Sequence, residues 1–225
     1  SPDPTRNNQI EFVTIASTGN AADFGDLTEQ GYGYNSGSSN GVRGLLSILS
    51  TSADTTNNII NYVTIAQNGN AVDFGDLTIG AYARKGNVAS PVRSCWAGGT
   101  DLTSPTSRVI DYVTISTTGN AANFGDLTQA SREGTGCSNA VRGFYFSGSG
   151  GTDNQIEAIT IATLGDAFDF GDLTYGAEAA GGGASPTRAI SAGGTDSGGK
   201  NIIDYWQIAT TGNAIDFGDR TVALY

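Results

Sequence analysis

Histidine and methionine are both absent from the 225 residues. Losing His removes the commonest side chain for proton transfer near neutral pH and the commonest transition-metal ligand, so every triad or zinc motif containing it is excluded. A translated chain normally begins with Met, so one that opens at Ser1 and has none is expected to be processed, excised or part of something larger. Positive charge is scarce as well. Eleven basic residues against 22 acidic ones leave a formal net charge of −11, a field that repels nucleic-acid phosphates and anionic head groups alike. No nucleic-acid partner is expected. No run approaches the roughly 18 apolar residues of a membrane helix, and no charged-then-apolar signal opens the chain, so no membrane insertion is expected either. The two cysteines, Cys95 and Cys137, fall at different points of the repeat described next and are read as unpaired buried thiols.

What the chain does contain is an internal repeat. Ile10-Glu11-Phe12-Val13-Thr14-Ile15 returns from Ile60, Ile110, Ile156 and Ile203, at steps of 50, 50, 46 and 47 residues. A polar turn, usually Thr-Gly-Asn-Ala, follows each copy. Then comes Asp-Phe-Gly-Asp-Leu-Thr or a near variant, with its Phe at Phe24, Phe74, Phe124, Phe170 and Phe217. An Arg followed by small or apolar residues, often ending in Gly-Gly, recurs only as Arg43, Arg93, Arg142 and Arg188.

The β-branched and aromatic residues of Ile-Asp-Tyr-Val-Thr-Ile predict a strand, and Gly/Asn turn chemistry joins it to the next as a hairpin. Two further short strands, such as Thr78 to Ala83 and Val92 to Ala97, are expected between hairpins. Helices are excluded, because no stretch sustains a 3.6-residue apolar period over the ~10 residues a helix needs and Gly is scattered throughout. Four antiparallel strands in each repeat suit a β-propeller blade better than a parallel β-helix, whose repeat is about half as long. The expected fold is therefore all-β: residues 1–225 form a single propeller domain of five repeats, with hairpins beginning near 10, 60, 110, 156 and 203.

Gly98-Gly99, Gly193-Gly194 and the aromatic pairs Tyr62/Phe74, Tyr112/Phe124 and Tyr205/Phe217 resemble the kelch type of blade. In wording, all five repeats are similar to the arrays of virion structural and tail-fibre-like proteins of marine cyanobacterial phages. That resemblance implies a virion or extracellular surface location. In the kelch phasing, complete blades run over 29–78, 79–128, 129–174 and 175–221. The hairpin Gln9 to Thr28 and the strand Thr221 to Tyr225 are left to build a fifth blade from both termini. One strand position in it stays vacant, to be filled by a segment of a neighbouring subunit through strand addition or of a longer parent chain, and Val222, Leu224 and Tyr225 become assembly residues.

Asp23 and Asp26, Asp73 and Asp76, Asp169 and Asp172, and Asp216 and Asp219 flank the repeated Phe-Gly, with Asn123 and Asp126 in the third copy. They are weak calcium candidates. The spacing lacks the alternating series of a calcium loop, and Asp with Gly more simply meets a turn's backbone demands. Each recurring Arg is expected to pair with an Asp of its own or the next blade. Trp96 and Trp206 break the repeat and are ligand-binding candidates. No enzyme and no cofactor is expected: glycosidase chemistry needs two acids in contrasting environments in one cleft, whereas these acids are evenly spread. Gly181-Gly182-Gly183 also lacks the Lys-Ser/Thr of a phosphate loop. Two functions remain, a self-associating structural module of a virion or appendage, and a lectin-like propeller that binds a receptor or host-surface glycan.

Overall fold

The computed structural model describes residues 7–31, 36–48, 57–81, 83–100, 106–150 and 154–224. An N-terminal hairpin pairs β1 (Asn7–Phe12) with β2 (Ala22–Gly31). The first full sheet contains β3 (Ser36–Ser39), β4 (Arg43–Ile48), β5 (Ile59–Thr64) and β6 (Val72–Asp76). The second contains β7 (Gly86–Ala89), β8 (Arg93–Ala97), β9 (Ser107–Thr114) and β10 (Ala122–Ser131). The third contains β11 (Thr135–Ser138), β12 (Arg142–Phe146), β13 (Gln155–Thr160) and β14 (Phe168–Asp172), and the fourth β15 (Gly181–Ala184), β16 (Arg188–Ala192), β17 (Lys200–Gln207) and β18 (Ile215–Leu224). Each full sheet is four-stranded, antiparallel and laid out in chain order, so a sheet is one continuous meander and successive sheets form a propeller-like array.

Two expectations about the strands need correction. The described residues between Thr78 and Ala83 form no strand, and the inner strand lies at Gly86–Ala89. Inner strands of adjacent sheets crowd together: a Cβ on Gly86 would lie 2.5 Å from the Gly136 amide nitrogen. Small residues therefore mark the inner strand more reliably than apolar ones. The second correction concerns the termini. Thr221–Leu224 is the end of β18, and Leu224 pairs with Lys200 of β17. The N-terminal hairpin stands as a two-stranded sheet, so among the described residues it shares no blade with the C-terminal strand. The chain runs on beside β17 past a shift in register between Lys200 and Ile202. Val222 is exposed there, and Tyr225 lies outside the described residues.

The core lies between sheets. Leu45, Ile60 and Phe74 of the first sheet pack with Trp96, Val113 and Ile115 of the second. Cys95, Ile110 and Phe124 of the second pack with Tyr145, Ile159 and Ile161 of the third. Phe144, Ile156 and Phe170 of the third pack with Ala189, Trp206 and Ile208 of the fourth. Trp96 and Trp206 are thus core residues with essentially no solvent exposure, which corrects their reading as ligand platforms. Within hairpins, Tyr62–Phe74, Tyr112–Phe124 and Tyr205–Phe217 meet edge to face at 6.0, 5.9 and 5.9 Å, the geometry that ring quadrupoles favour. Cys95 and Cys137 are free and buried, and burial pushes both thiols up to about 12.

Candidate functional site

The Asp-Phe-Gly-Asp motif has one geometric peculiarity. Asp73 faces Asn61 and Gly75 faces Ile60, so Phe74 is the extra residue of a bulge; the third and fourth sheets shift register at the same point. A bulged residue leaves the ladder, and its carbonyl is free to serve another sheet. Phe24, Phe74, Phe124 and Phe170 carbonyls accept the amides of Gly69, Gly119, Gly165 and Gly212 in the next hairpin turn, at 2.8–2.9 Å. Two residues on, Asp26, Asp76, Asp126 and Asp172 accept from Ala71, Ala121, Ala167 and Ala214. Their own amides donate to the side-chain oxygens of Asn70, Asn120, Asp166 and Asn213 at 2.9–3.1 Å. Approach is close enough that a Cβ on Gly125 would fall 2.3 Å from the Gly165 oxygen, so only glycine fits.

A second polar contact crosses each seam, with the acceptor buried and the Thr donor exposed at its edge. Thr28 donates its amide and hydroxyl to Asn61, and Thr78, Thr128 and Thr174 do the same to Asp111, Glu157 and Asp204. These acceptors, the residue after the repeated Ile, carried no role in the sequence reading. Their signal is a polar residue at constant phase opposite a constant Thr. Burial holds the Asp111 carboxyl above its ordinary value, opposed by the Thr78 bonds and the Arg84 charge.

Among the described residues the recurring Arg side chains do not pair with Asp. Arg43, Arg93 and Arg142 donate to the main-chain oxygens of Ile115, Ile161 and Ile208 in the following sheet, at 3.2, 3.0 and 2.6 Å. Arg43, Arg93 and Arg188 also lie 4.7, 4.9 and 5.1 Å above the rings of Tyr62, Tyr112 and Tyr205, while Arg142 sits over Phe170. A ring face and a carbonyl satisfy the flat guanidinium without an acid. Among the Asp pairs, Asp73 and Asp216 accept the amides of Gly75 and Gly218 two residues on, the local turn role that competes with metal ligation.

A cavity of about 550 Å³ opens beside the inner strands. Arg84, Asn87, Glu133, Thr135 and Glu178 line it. Arg84 is buried, donates to the Ile79 and Gly98 carbonyls and lies 3.9 Å from Asp111. Burial lowers it to about 10, with Asp111 opposing. Its neighbour Lys85 makes a buried 2.7 Å ion pair with Glu157, tying the second sheet to the third. Arg84 and Lys85 lie outside the repeat and were not singled out in the sequence. The exposed edges of Glu133, Thr135 and Asn87 could accept or donate hydrogen bonds to a small polar molecule. Searches of protein-family models and of curated proteins find no match to this chain.

Proposed function

We propose that the chain is a non-enzymatic structural module: a β-propeller-type array that self-associates or joins other subunits of a virion or extracellular appendage. The observation that carries this reading is the use made of the recurring polar residues. The Thr, the Asp/Asn/Glu after the repeated Ile, the turn Asn and Arg43, Arg93 and Arg142 are all engaged in joining one sheet to the next. Side chains spent on rigid sheet-to-sheet joints build a scaffold. The virion or surface location rests on the resemblance of the repeats to phage arrays.

A lectin-like reading draws on a separate observation, the 550 Å³ cavity edged by Asn87, Glu133, Thr135 and Glu178, since sugars are held by convergent polar groups. A glycan array run beside native mass spectrometry tests the two. Ordered multimers with no selective glycan signal are expected. A monomer that binds one glycan class, and loses it on Glu133→Gln, would replace the structural reading with recognition.

A further inference from the structure

The seam contacts form a fixed set, and the two ends of the array each hold one half of it. At the C-terminal edge, the positions equivalent to the bulge-bearing side of a seam are the Phe217 and Asp219 carbonyls, the Asp219 and Thr221 amides, and the Arg188 guanidinium. At the N-terminal hairpin, the matching positions are the Gly19 and Ala21 amides, the Asn20 side chain, the Glu11 carboxylate and the Ile15 carbonyl. Among the described residues no hydrogen bond joins the two halves. Burial reports the same gap: Phe217 is 62% exposed where Phe74, Phe124 and Phe170 are 2, 3 and 2%. Ile15 is 98% exposed where Ile115, Ile161 and Ile208 are 0, 0 and 3%. A Cβ on Gly218 would meet nothing within 4 Å, although Gly25, Gly75, Gly125 and Gly171 each abut the next turn.

We propose that a second copy of this chain docks head to tail, placing its Glu11–Ala21 hairpin on the Arg188 and Phe217–Thr221 face of the first. This rests on the structural reading above and names its partner and surface. The fit between the surfaces is already displayed inside the molecule, where equivalent halves meet with the same main-chain, turn and Thr bonds at all four internal seams and with the Arg bond at three of them. The fourth sheet is complete, so the intermolecular seam can also form the Arg-to-carbonyl bond. Among the described residues the hairpin has no Arg strand to offer that bond to the first sheet, and Ile65 there is 42% exposed. One residue departs from the pattern. Arg220 stands where Leu77, Leu127 and Leu173 are buried, and its Nη1 occupies the place that a Cβ on Gly193 would take. The intermolecular seam is consequently more polar than the internal ones and reversible with concentration. Such a heterologous contact makes a ring if its rotation closes and a filament if it does not.

Sedimentation velocity over a concentration series tests this, using the full chain, Phe217→Asp to block one end and Ala21→Pro, which removes an amide donor, to block the other. The wild type should grow beyond one chain mass with concentration. Each variant alone should stay monomeric with an unchanged melting temperature. Their equimolar mixture should stop at the dimer, since one open hairpin meets one open edge. A wild type that stays monomeric overturns the proposal: a lower melting temperature for Phe217→Asp would then mean that the hairpin closes a ring within its own chain, and an unchanged one that the edge is empty. Assembly that persists in both variants also overturns it, while leaving the structural function standing. A monomer that binds glycan would remove both.

Discussion

The seam between the second and third sheets and the free face of the fourth sheet are written in nearly the same residues. Phe124 is packed under the next turn, and Phe217 lies open to solvent. Tyr112–Phe124 and Tyr205–Phe217 make the same edge-to-face contact at 5.9 Å, and Arg93 and Arg188 sit over their Tyr rings at similar heights. What differs is the neighbour. The motif specifies a hairpin, a bulge and a carbonyl aimed outward, and burial comes only when a following sheet accepts the offer. A repeated aromatic is therefore a statement about local geometry first and about core membership second.

Substitutions at matched positions can break that comparison. Phe124→Ala should cost about 3–5 kcal/mol in denaturant unfolding, because it opens a cavity in a closed seam, whereas Phe217→Ala in dilute protein should stay within about 0.5 kcal/mol. Equal losses would mean that Phe217 is covered in solution. Glu157→Gln leaves the buried Lys85 ammonium without its counter-charge and is expected to cost about 3 kcal/mol. The exposed Glu11→Gln, at the same hairpin position, should be silent, and a large loss there in dilute solution would reveal a partner for the N-terminal hairpin.

Smaller effects sharpen the contrast between seams. Arg93→Ala loses a ring face and a 3.0 Å bond to Ile161 and should cost about 1–2 kcal/mol. Arg188→Ala loses the ring face alone and should cost less, as paired thermal melts would show. The Asp111 seam carries a pH dependence that the Asn61 seam lacks. A carboxyl raised in the folded state binds its proton more tightly there than in the unfolded chain. Its contribution is fully present below the unfolded value near 3.8 and is lost as pH rises through the raised one. Asp111→Asn should flatten that decline in stability, and an unchanged profile would show that other groups set it. Smallest of all, chelator should leave the melting temperature within error. A clear drop would return the Asp pairs to calcium.

Sheet count, strand order and hairpin positions were legible in the sequence because the Ile-rich strand and the Gly/Asn turn each follow a local rule. Ser147–Gly148 takes the same positive-φ course as Gly98–Gly99, so the double glycine missing from the third copy is a change of residue without a change of path. The inner strand was misplaced because Gly86–Ala89 carries no apolar alternation to read. Arg43, Arg93 and Arg142 were assigned acidic partners because acids are abundant, but a main-chain carbonyl leaves no trace in a sequence. Trp96 and Trp206 looked special by breaking the repeat, yet both are buried members of the same seam cores. The seam acceptors Asp111, Glu157 and Asp204 were visible as a polar phase within an apolar strand, a pattern that becomes meaningful only once the facing Thr is known.

The bulge carbonyl always reaches the very next turn, and the amide-to-turn bonds beside it join residues 44, 44, 40 and 41 positions apart. Coupling is therefore nearest-neighbour, as in a one-dimensional lattice of repeats. Loop closure costs about the same at every step, and ordering can start at any well-filled seam and spread in both directions. The terminal hairpin and the edge of the fourth sheet, each held on one side, should exchange their amide hydrogens first, and Phe124 and its neighbours last. A lattice of this kind also tolerates a change in copy number: inserting or deleting one whole repeat removes and remakes a single joint while the others keep their partners, so the length of the array can vary without redesigning its core.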